Sequence, residues 1–117
     1  MAKVAIVGSR EYPDLEQVRE YVRGLPPGTI VVSGGAVGVD KVAEQEAKEQ
    51  GLNVEIWYPR WDLHGKGAGF ARNRAIVHSA DRVVAFWDGE SRGTKHTIGV
   101  AQEMRKPVEV YLPRSEP

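Results

Sequence analysis

The hydrophobic positions of this chain fall into five short runs that alternate with longer amphipathic stretches. The runs are Val4 to Val7, Thr29 to Ser33, Asn53 to Tyr58, Arg82 to Trp87 and Val108 to Leu112. Each is rich in β-branched or aromatic residues and stops at glycine, proline or aspartate, which is typical of strands. The stretches between them carry apolar residues at helical spacing, as Leu15, Val18 and Val22 do. The pattern predicts five strands joined by helices.

This alternation predicts an α/β fold, a Rossmann-like doubly wound parallel sheet of about five strands with helices on both faces. Because crossovers between parallel strands are right-handed, the simplest strand order is 3-2-1-4-5, with the switch point between strands one and four. At 117 residues the chain fits one domain, residues 1–117. The polar segment 113–117 is predicted to be a frayed tail.

Two further predictions concern the region after the third strand. The segment from Arg60 to Gly69 contains three glycines among its last five residues, which predicts a long irregular loop. The next helix is then expected over residues 70–80, with Arg72 in its first turn. Trp61 and Trp87 flank the expected crevice, where packing is favoured over base stacking for a large aromatic side chain.

Residue types suited to ligand binding collect near the carboxyl ends of the predicted strands. The opposite edge carries plain turns such as Pro26-Pro27-Gly28. In open α/β sheets, ligands bind at the carboxyl edge beside the switch point. The candidate ligand-binding residues are Gly8, Ser9, Arg10, Ser33, Gly34, Gly35, Gly38, Asp40, Arg72, Asn73, Asp88, Ser91, Gly93 and Thr94.

The loop from Gly34 to Gly38 lies between a strand and a helix, so its amides and the helix N-terminus could hold a phosphate. A tight turn packed for shape is the alternative, because the spacing matches neither the Walker pattern nor the dinucleotide fingerprint. Asp40 is expected to favour the helix dipole or to order this loop. The hydroxyl-bearing segment from Ser91 to Thr94 predicts either a second anion cradle or an ordinary N-cap.

Three side chains could act on a ligand directly. Arg72 is expected to turn toward the packed side of its helix, where its guanidinium could clamp a phosphate. Asn73 could hydrogen-bond a ribose or a base edge. Asp88 could accept from ribose hydroxyls or act as a general base, and an Asx-turn or N-cap is its alternative role. Arg72 and Asp88 are the candidates for catalysis, but no catalytic residue is assigned.

Composition narrows the classes of protein. The 16 basic and 16 acidic side chains cancel, which argues against a surface that holds nucleic acid by charge. The chain has no cysteine, and its three histidines lack ligand spacing, so no metal site is predicted. The sequence indicates neither a signal sequence nor a segment that spans a bilayer. A cytoplasmic protein without a membrane partner is expected.

Several motifs occur together along nearly the whole sequence. They are Gly8-Ser9-Arg10, Ser33 to Asp40, Trp61-Asp62, Gly65-Lys66, Ala68-Gly69, Arg72-Asn73, Ala80-Asp81, Phe86 to Gly89 and Ser91 to Thr94. Together they resemble the motifs of the SLOG superfamily, which includes the DprA and LOG proteins, and the chain is most similar to its small stand-alone YspA-like branch. The resemblance implies a Rossmann-like nucleotide-binding domain that assembles as a homo-oligomer, a dimer or larger. No cofactor is expected to be required besides the nucleotide-like ligand.

The resemblance also implies roles for single residues. Arg72 matches the family's basic position, and the two phosphate loops match Gly34, Gly35 and Gly38, and Gly93-Thr94. LOG enzymes cleave the N-glycosidic bond of nucleoside monophosphates with this arginine and a glutamate shortly after the second loop. The residues there are Lys95, His96 and Thr97, so the glutamate is missing. Without that carboxylate, an oxocarbenium-like state lacks its stabilising charge.

The sequence therefore predicts a domain that binds a phosphate-bearing small molecule as a sensor or carrier. The expected ligand is a nucleotide or nucleotide-derived compound, such as a nucleoside monophosphate or an NAD- or ADP-ribose-like molecule. A LOG-like phosphoribohydrolase is an alternative that the missing glutamate disfavours. Molybdenum-cofactor carrier-like binding and single-stranded DNA binding are further alternatives, although nucleic acid is not expected as a partner.

Overall fold

The computed structural model describes residues 2–114 and contains a five-stranded sheet. The strands are β1 (Lys3–Gly8), β2 (Ile30–Ser33), β3 (Asn53–Ile56), β4 (Arg82–Phe86) and β5 (Val108–Tyr111). They pair in parallel in the order β3-β2-β1-β4-β5. The predicted fold class and strand order are therefore confirmed, with strand ends that differ by one or two residues.

Helices cover both faces of this sheet. They are α1 (Leu15–Arg23), α2 (Val39–Glu49), α3 (Trp61–His64), α4 (Ala68–Ser79) and α5 (Arg92–Glu103). Alternate β1 residues point to opposite sides, so Val4 and Ile6 pack against α1 and α2. Ala5 and Val7 belong to the second core, which contains residues of α4 and α5. No helix within residues 2–114 has the length and apolar content needed to cross a membrane.

The segment from Arg60 to Gly69 is helical, so the predicted irregular loop is wrong. Helix α3 is followed by a 3₁₀ turn, Gly65–Gly67, and α4 begins directly after it. Glycine costs about 1 kcal/mol in a helix relative to alanine, but tertiary packing often outweighs that preference. Here Ala68 is fully buried and fixes the start of α4 against the domain. Arg72 therefore lies in the second turn of α4 and not in the first.

The segment that follows β5 is held against the start of α1 by Arg114. Asp14 caps α1 by accepting from the Gln17 amide at 3.3 Å. The same carboxylate accepts from Arg114 Nε at 2.7 Å, and Arg114 also bonds Glu20. Most of the segment predicted to be a frayed tail, residues 115–117, lies outside the described residues.

Candidate functional site

A cleft of about 520 Å³ lies at the carboxyl ends of β1, β2 and β4, where the strand order reverses. The cleft therefore lies at the carboxyl edge of the sheet, where the sequence predicted ligand binding. The candidate residues that line it are Gly8, Arg10, Gly34, Asp40, Arg72, Asn73, Asp88, Ser91, Gly93 and Thr94. The other four candidates do not line the cleft. They are Ser9, Ser33, Gly35 and Gly38.

The glycine loop is held in place by side chains of its own chain. The Gly35 amide donates to Ser33 Oγ at 3.3 Å, and the Ala36 amide donates to Asp40 Oδ2 at 3.2 Å. Ser33 Oγ in turn donates to Glu44 Oε2 at 2.6 Å, and both residues are buried. Two amides that the sequence suggested for a phosphate therefore already have internal acceptors.

Arg72 crosses from α4 to the glycine loop. Its Nη1 donates to the Gly34 carbonyl at 2.5 Å, and its Nε donates to Asn73 Oδ1 at 3.0 Å. A Cβ at Gly34 would lie 2.6 Å from Arg72 Nη1, so only glycine leaves room for this contact. Burial lowers the pKa of the guanidinium, and the nearby Asp40 carboxylate opposes that change. Arg72 is thus fixed in direction before any ligand arrives.

Asp40 is the buried carboxyl group of the cleft. Burial raises its pKa to about 6, against the opposing effects of the Ala36 amide and Arg72. The neighbouring Glu44 adds to the increase. The side chain braces the loop, which is one of the two roles that the sequence suggested for it.

Replacing Asp40 by asparagine is expected to remove a pH dependence of stability. Because the folded pKa of Asp40 lies above its ordinary value of 3.8, the folded state binds the proton more tightly than the unfolded chain. This contribution to stability is complete below that ordinary value and is lost as the pH rises through the folded pKa. We expect the free energy of unfolding of wild type, relative to Asp40→Asn, to fall by roughly 1–2 kcal/mol between pH ~4 and pH ~7.

Urea unfolding of both proteins across that pH range measures the difference. Asparagine keeps a side-chain oxygen for the Ala36 amide, so the comparison isolates the titrating group. A difference that does not change with pH would contradict the effect of burial on Asp40.

Asp88 stabilises the loop that follows β4. Its Oδ1 accepts from the amides of Glu90 and Ser91 at 2.8 and 2.9 Å, which is the Asx-turn arrangement. These two bonds lower the pKa of Asp88, with the Ser91 amide as the largest cause. The Asp88 amide donates to Ser9 Oγ at 3.1 Å, which ties this loop to β1. An acid that is already bonded and more acidic than usual is poorly suited to be a general base.

The segment from Ser91 to Thr94, predicted as a second anion cradle or an N-cap, forms the start of α5. Ser91 is the N-cap of α5, and its Oγ accepts from the Thr94 amide at 3.4 Å. Gly93 and Thr94 lie in the first turn of α5. Thr97, near the position of the missing family glutamate, donates to the Gly93 carbonyl at 3.0 Å. Ser91 therefore has the N-cap role that the sequence offered as one alternative, and the N-terminus of α5 lies at the cleft.

Asn73 joins α4 to α5. Its Nδ2 lies 3.4 Å from the Gly93 carbonyl oxygen and 3.3 Å from His96 Nδ1. Phe70, 54% exposed, stacks on the His96 ring with centroids 4.1 Å apart. Within residues 2–114, no three His, Cys, Asp or Glu side chains group as metal ligands do.

Some residues of the site were missed by the sequence analysis. Glu44 lies four residues after Asp40, and this helical spacing is the signal that could have placed both acids on one face of α2. Glu11 and Glu90 line the cleft on loops, where no periodicity marks them. The sequence predicts Tyr58 only as the end of the third strand, although it is the second residue after β3 and lies on the site edge.

The sheet order and the cleft define a Rossmann-like domain of the kind found in DNA processing protein A, DprA. The fold matches DprA from Streptococcus pneumoniae with a TM-score of 0.84 at 24% identity, covering 98% of this chain and 51% of that one. It also matches a structure of DprA from Helicobacter pylori that is described as giving insight into the single-stranded DNA binding mode of that protein. That match has a TM-score of 0.70 at 28% identity and covers 97% of this chain and 66% of that one.

Sequence comparisons agree with this fold. The family described as DNA recombination-mediator protein A matches residues 1–56. Gene 61 protein of Mycobacterium phage D29 is 38% identical over 118 residues, covering 92% of this chain and 94% of that protein. The chain therefore belongs to the family of this phage protein, and residues 1–56 are similar to the DprA family. It spans about half the length of the S. pneumoniae DprA chain.

Two predictions are wrong in the light of these matches. One is the main function, the binding of a nucleotide or nucleotide-derived small molecule. The other is the partner, which was predicted to be a phosphate-bearing small molecule, with nucleic acid not expected. The DprA-family match and the DNA-processing relatives overturn both. The physical error was to infer the partner from a net charge of zero, since net charge does not describe the local arrangement of a site.

Proposed function

We propose that this domain binds single-stranded DNA at the carboxyl edge of its sheet. The observation that carries the proposal is the similarity, over nearly the whole chain, to a DprA whose described property is single-stranded DNA binding. The cleft supports it by placing a fixed arginine at the switch point, where ligands of open α/β sheets bind.

The cleft offers few but directed contacts to a sugar-phosphate backbone. Arg72 and the exposed Arg10 are the two cations that line it. Arg72 uses Nε and Nη1 within the protein, which leaves Nη2 for a phosphate oxygen. The N-termini of α2 and α5 add partial positive charge. Exposed Phe70, which lies on α4 and stacks on His96 of α5, supplies an aromatic surface.

Acidic side chains limit how a strand can lie in the cleft. Glu11, Asp88 and Glu90 all line it. A phosphate near any of them would be repelled, so the backbone is restricted to the part of the cleft close to Arg10 and Arg72. The domain is therefore expected to bind through a small number of phosphates and to depend only weakly on salt.

The test is fluorescence anisotropy with a labelled oligothymidylate and a duplex of the same length, at several salt concentrations. We expect saturable binding that is tighter for the single strand. With two cations in the cleft, the slope of log affinity against log salt should be about −1 to −2, from about −0.7 per neutralised phosphate. Absence of binding, or equal binding of the duplex, would contradict the proposal.

Three finer statements stay predictions from the sequence. They are membership of the YspA-like branch of the SLOG superfamily, a cytoplasmic location, and assembly as a homo-oligomer.

A further inference from the structure

Exposed apolar side chains concentrate in one stretch of the chain, which begins where β3 ends and runs into α4. Eight large hydrophobic residues are exposed within residues 2–114, and five of them fall between residues 57 and 70. The five are Trp57, Tyr58, Trp61, Leu63 and Phe70. Four of these are aromatic, and such a local concentration is typical of an interaction surface.

Tyr58 is held next to the glycine loop. A Cβ at Gly35 would lie 2.6 Å from Tyr58 Cε1 and 3.0 Å from its Cδ1, so one edge of the ring lies against that glycine. The ring is nevertheless 59% exposed. The preceding residue is fixed in the sheet, because the Trp57 amide donates to the Ser33 carbonyl at 2.8 Å. The aromatic ring is therefore both anchored and accessible.

The same backbone segment links Tyr58 to the cleft. Arg72 Nη1, which bonds Gly34, also lies 3.5 Å from the Trp57 carbonyl oxygen. Tyr58 thus follows directly after a residue that touches the arginine proposed to hold a phosphate. Neither Tyr58 nor Trp61 is among the residues that line the cleft, so any contact they make with a ligand is additional to those of the cleft.

Trp61 follows Tyr58 by three residues, and the charged residues on either side of it are paired with each other. It is the first residue of α3 and is 62% exposed. The adjacent Arg60 is neutralised by Asp62, with bonds of 3.1 Å from Nε and 2.8 Å from Nη2. A surface with aromatic rings and a paired cation suits flat, uncharged groups better than phosphates.

We propose that Tyr58 and Trp61 form a stacking shelf for unpaired bases of a DNA strand whose backbone is held at Arg72. The inference rests on the proposed function and extends it from the backbone to the bases. Every base has an aromatic face, so stacking on such side chains tolerates any sequence. Bases in a duplex are already stacked on each other, so the shelf also favours single strands.

The test compares variants for binding of a labelled oligothymidylate by anisotropy. Tyr58→Leu and Trp61→Leu are each expected to weaken binding about tenfold, within the range for loss of one stacked base. Tyr58→Phe keeps the ring and should retain affinity within about twofold. Leu112→Ala is the matched control, because Leu112 is 58% exposed, follows β5 and lies away from the shelf. Thermal unfolding checks that each variant is folded.

A strand with abasic sites separates bases from backbone. Wild type should bind this strand about a hundredfold more weakly than oligothymidylate, because two stacked bases are lost, and Tyr58→Leu should cause no further loss on it. An equal loss on both strands would overturn stacking. Normal oligothymidylate binding by both leucine variants, with reduced binding by Arg72→Gln, would overturn the shelf, as expected for a protein-docking surface, and leave the proposed function intact. Failure of wild type to bind any single strand would overturn both.

Discussion

Replacing Arg72 by glutamine is expected to weaken single-stranded DNA binding by about 1.5–3 kcal/mol, the range for a lost hydrogen bond to a charged group. The guanidinium is held by the Gly34 carbonyl and Asn73, so its free edge is already directed when a phosphate arrives. Little entropy is then lost on binding, and the contact should contribute close to its full energy. Anisotropy titration of both proteins with oligothymidylate measures the change.

Arg74→Gln is the matched control for this prediction. Arg74 lies two residues further along α4, is exposed, and pairs with Glu103 at 3.3 Å. The control removes the same charge from the same helix, so it should change affinity by no more than about twofold if only general attraction is lost. Equal losses in Arg72→Gln and Arg74→Gln would contradict a specific phosphate contact at Arg72.

Replacing Gly38 by alanine is expected to lower the free energy of unfolding by about 3–4 kcal/mol. Gly38 is the N-cap of α2, with φ 80° and ψ −126°, a conformation that side chains strongly disfavour. An added Cβ would also meet the backbone of Arg10, with the carbonyl carbon only 2.8 Å away. Backbone atoms cannot move aside as a flexible side chain can. Urea unfolding measures the loss.

Gly51→Ala provides the comparison for Gly38→Ala. Gly51 also has a positive φ, +76°, but no atom lies within 4 Å of an added Cβ. Its substitution should therefore cost only the conformational strain, about 1–2 kcal/mol. The difference between the two variants measures the close approach of the loop after β1 to the start of α2. Equal costs would show that this approach is not tight.

The strand order was predictable because each βα crossover is right-handed and each strand is marked by an apolar run. The edge of the sheet that carries the cleft followed from the same topology. The helical path of residues 61–69 was not predictable from local glycine content, which points the other way, and the burial of Ala68 at the start of α4 is a tertiary contact that the sequence does not mark.

The interior of the site was harder to predict than its position. A sequence shows that Ser33 precedes three glycines, but not that its hydroxyl bonds Glu44 on the next helix. Likewise, Asp88 and Ser91 were equally compatible with ligand contacts or with turn and cap roles until their amide bonds were located. Polar side chains at strand ends have several partners within reach, and only packing selects one.

The bonds that the glycine-loop amides donate to Ser33 and Asp40 are expected to affect how fast the proposed DNA strand binds as well as how tightly. A loop that is already ordered need not close around its ligand, so association should follow a single diffusional encounter with no slower second phase. Differences in affinity among related strands then arise mainly in how long each complex lasts.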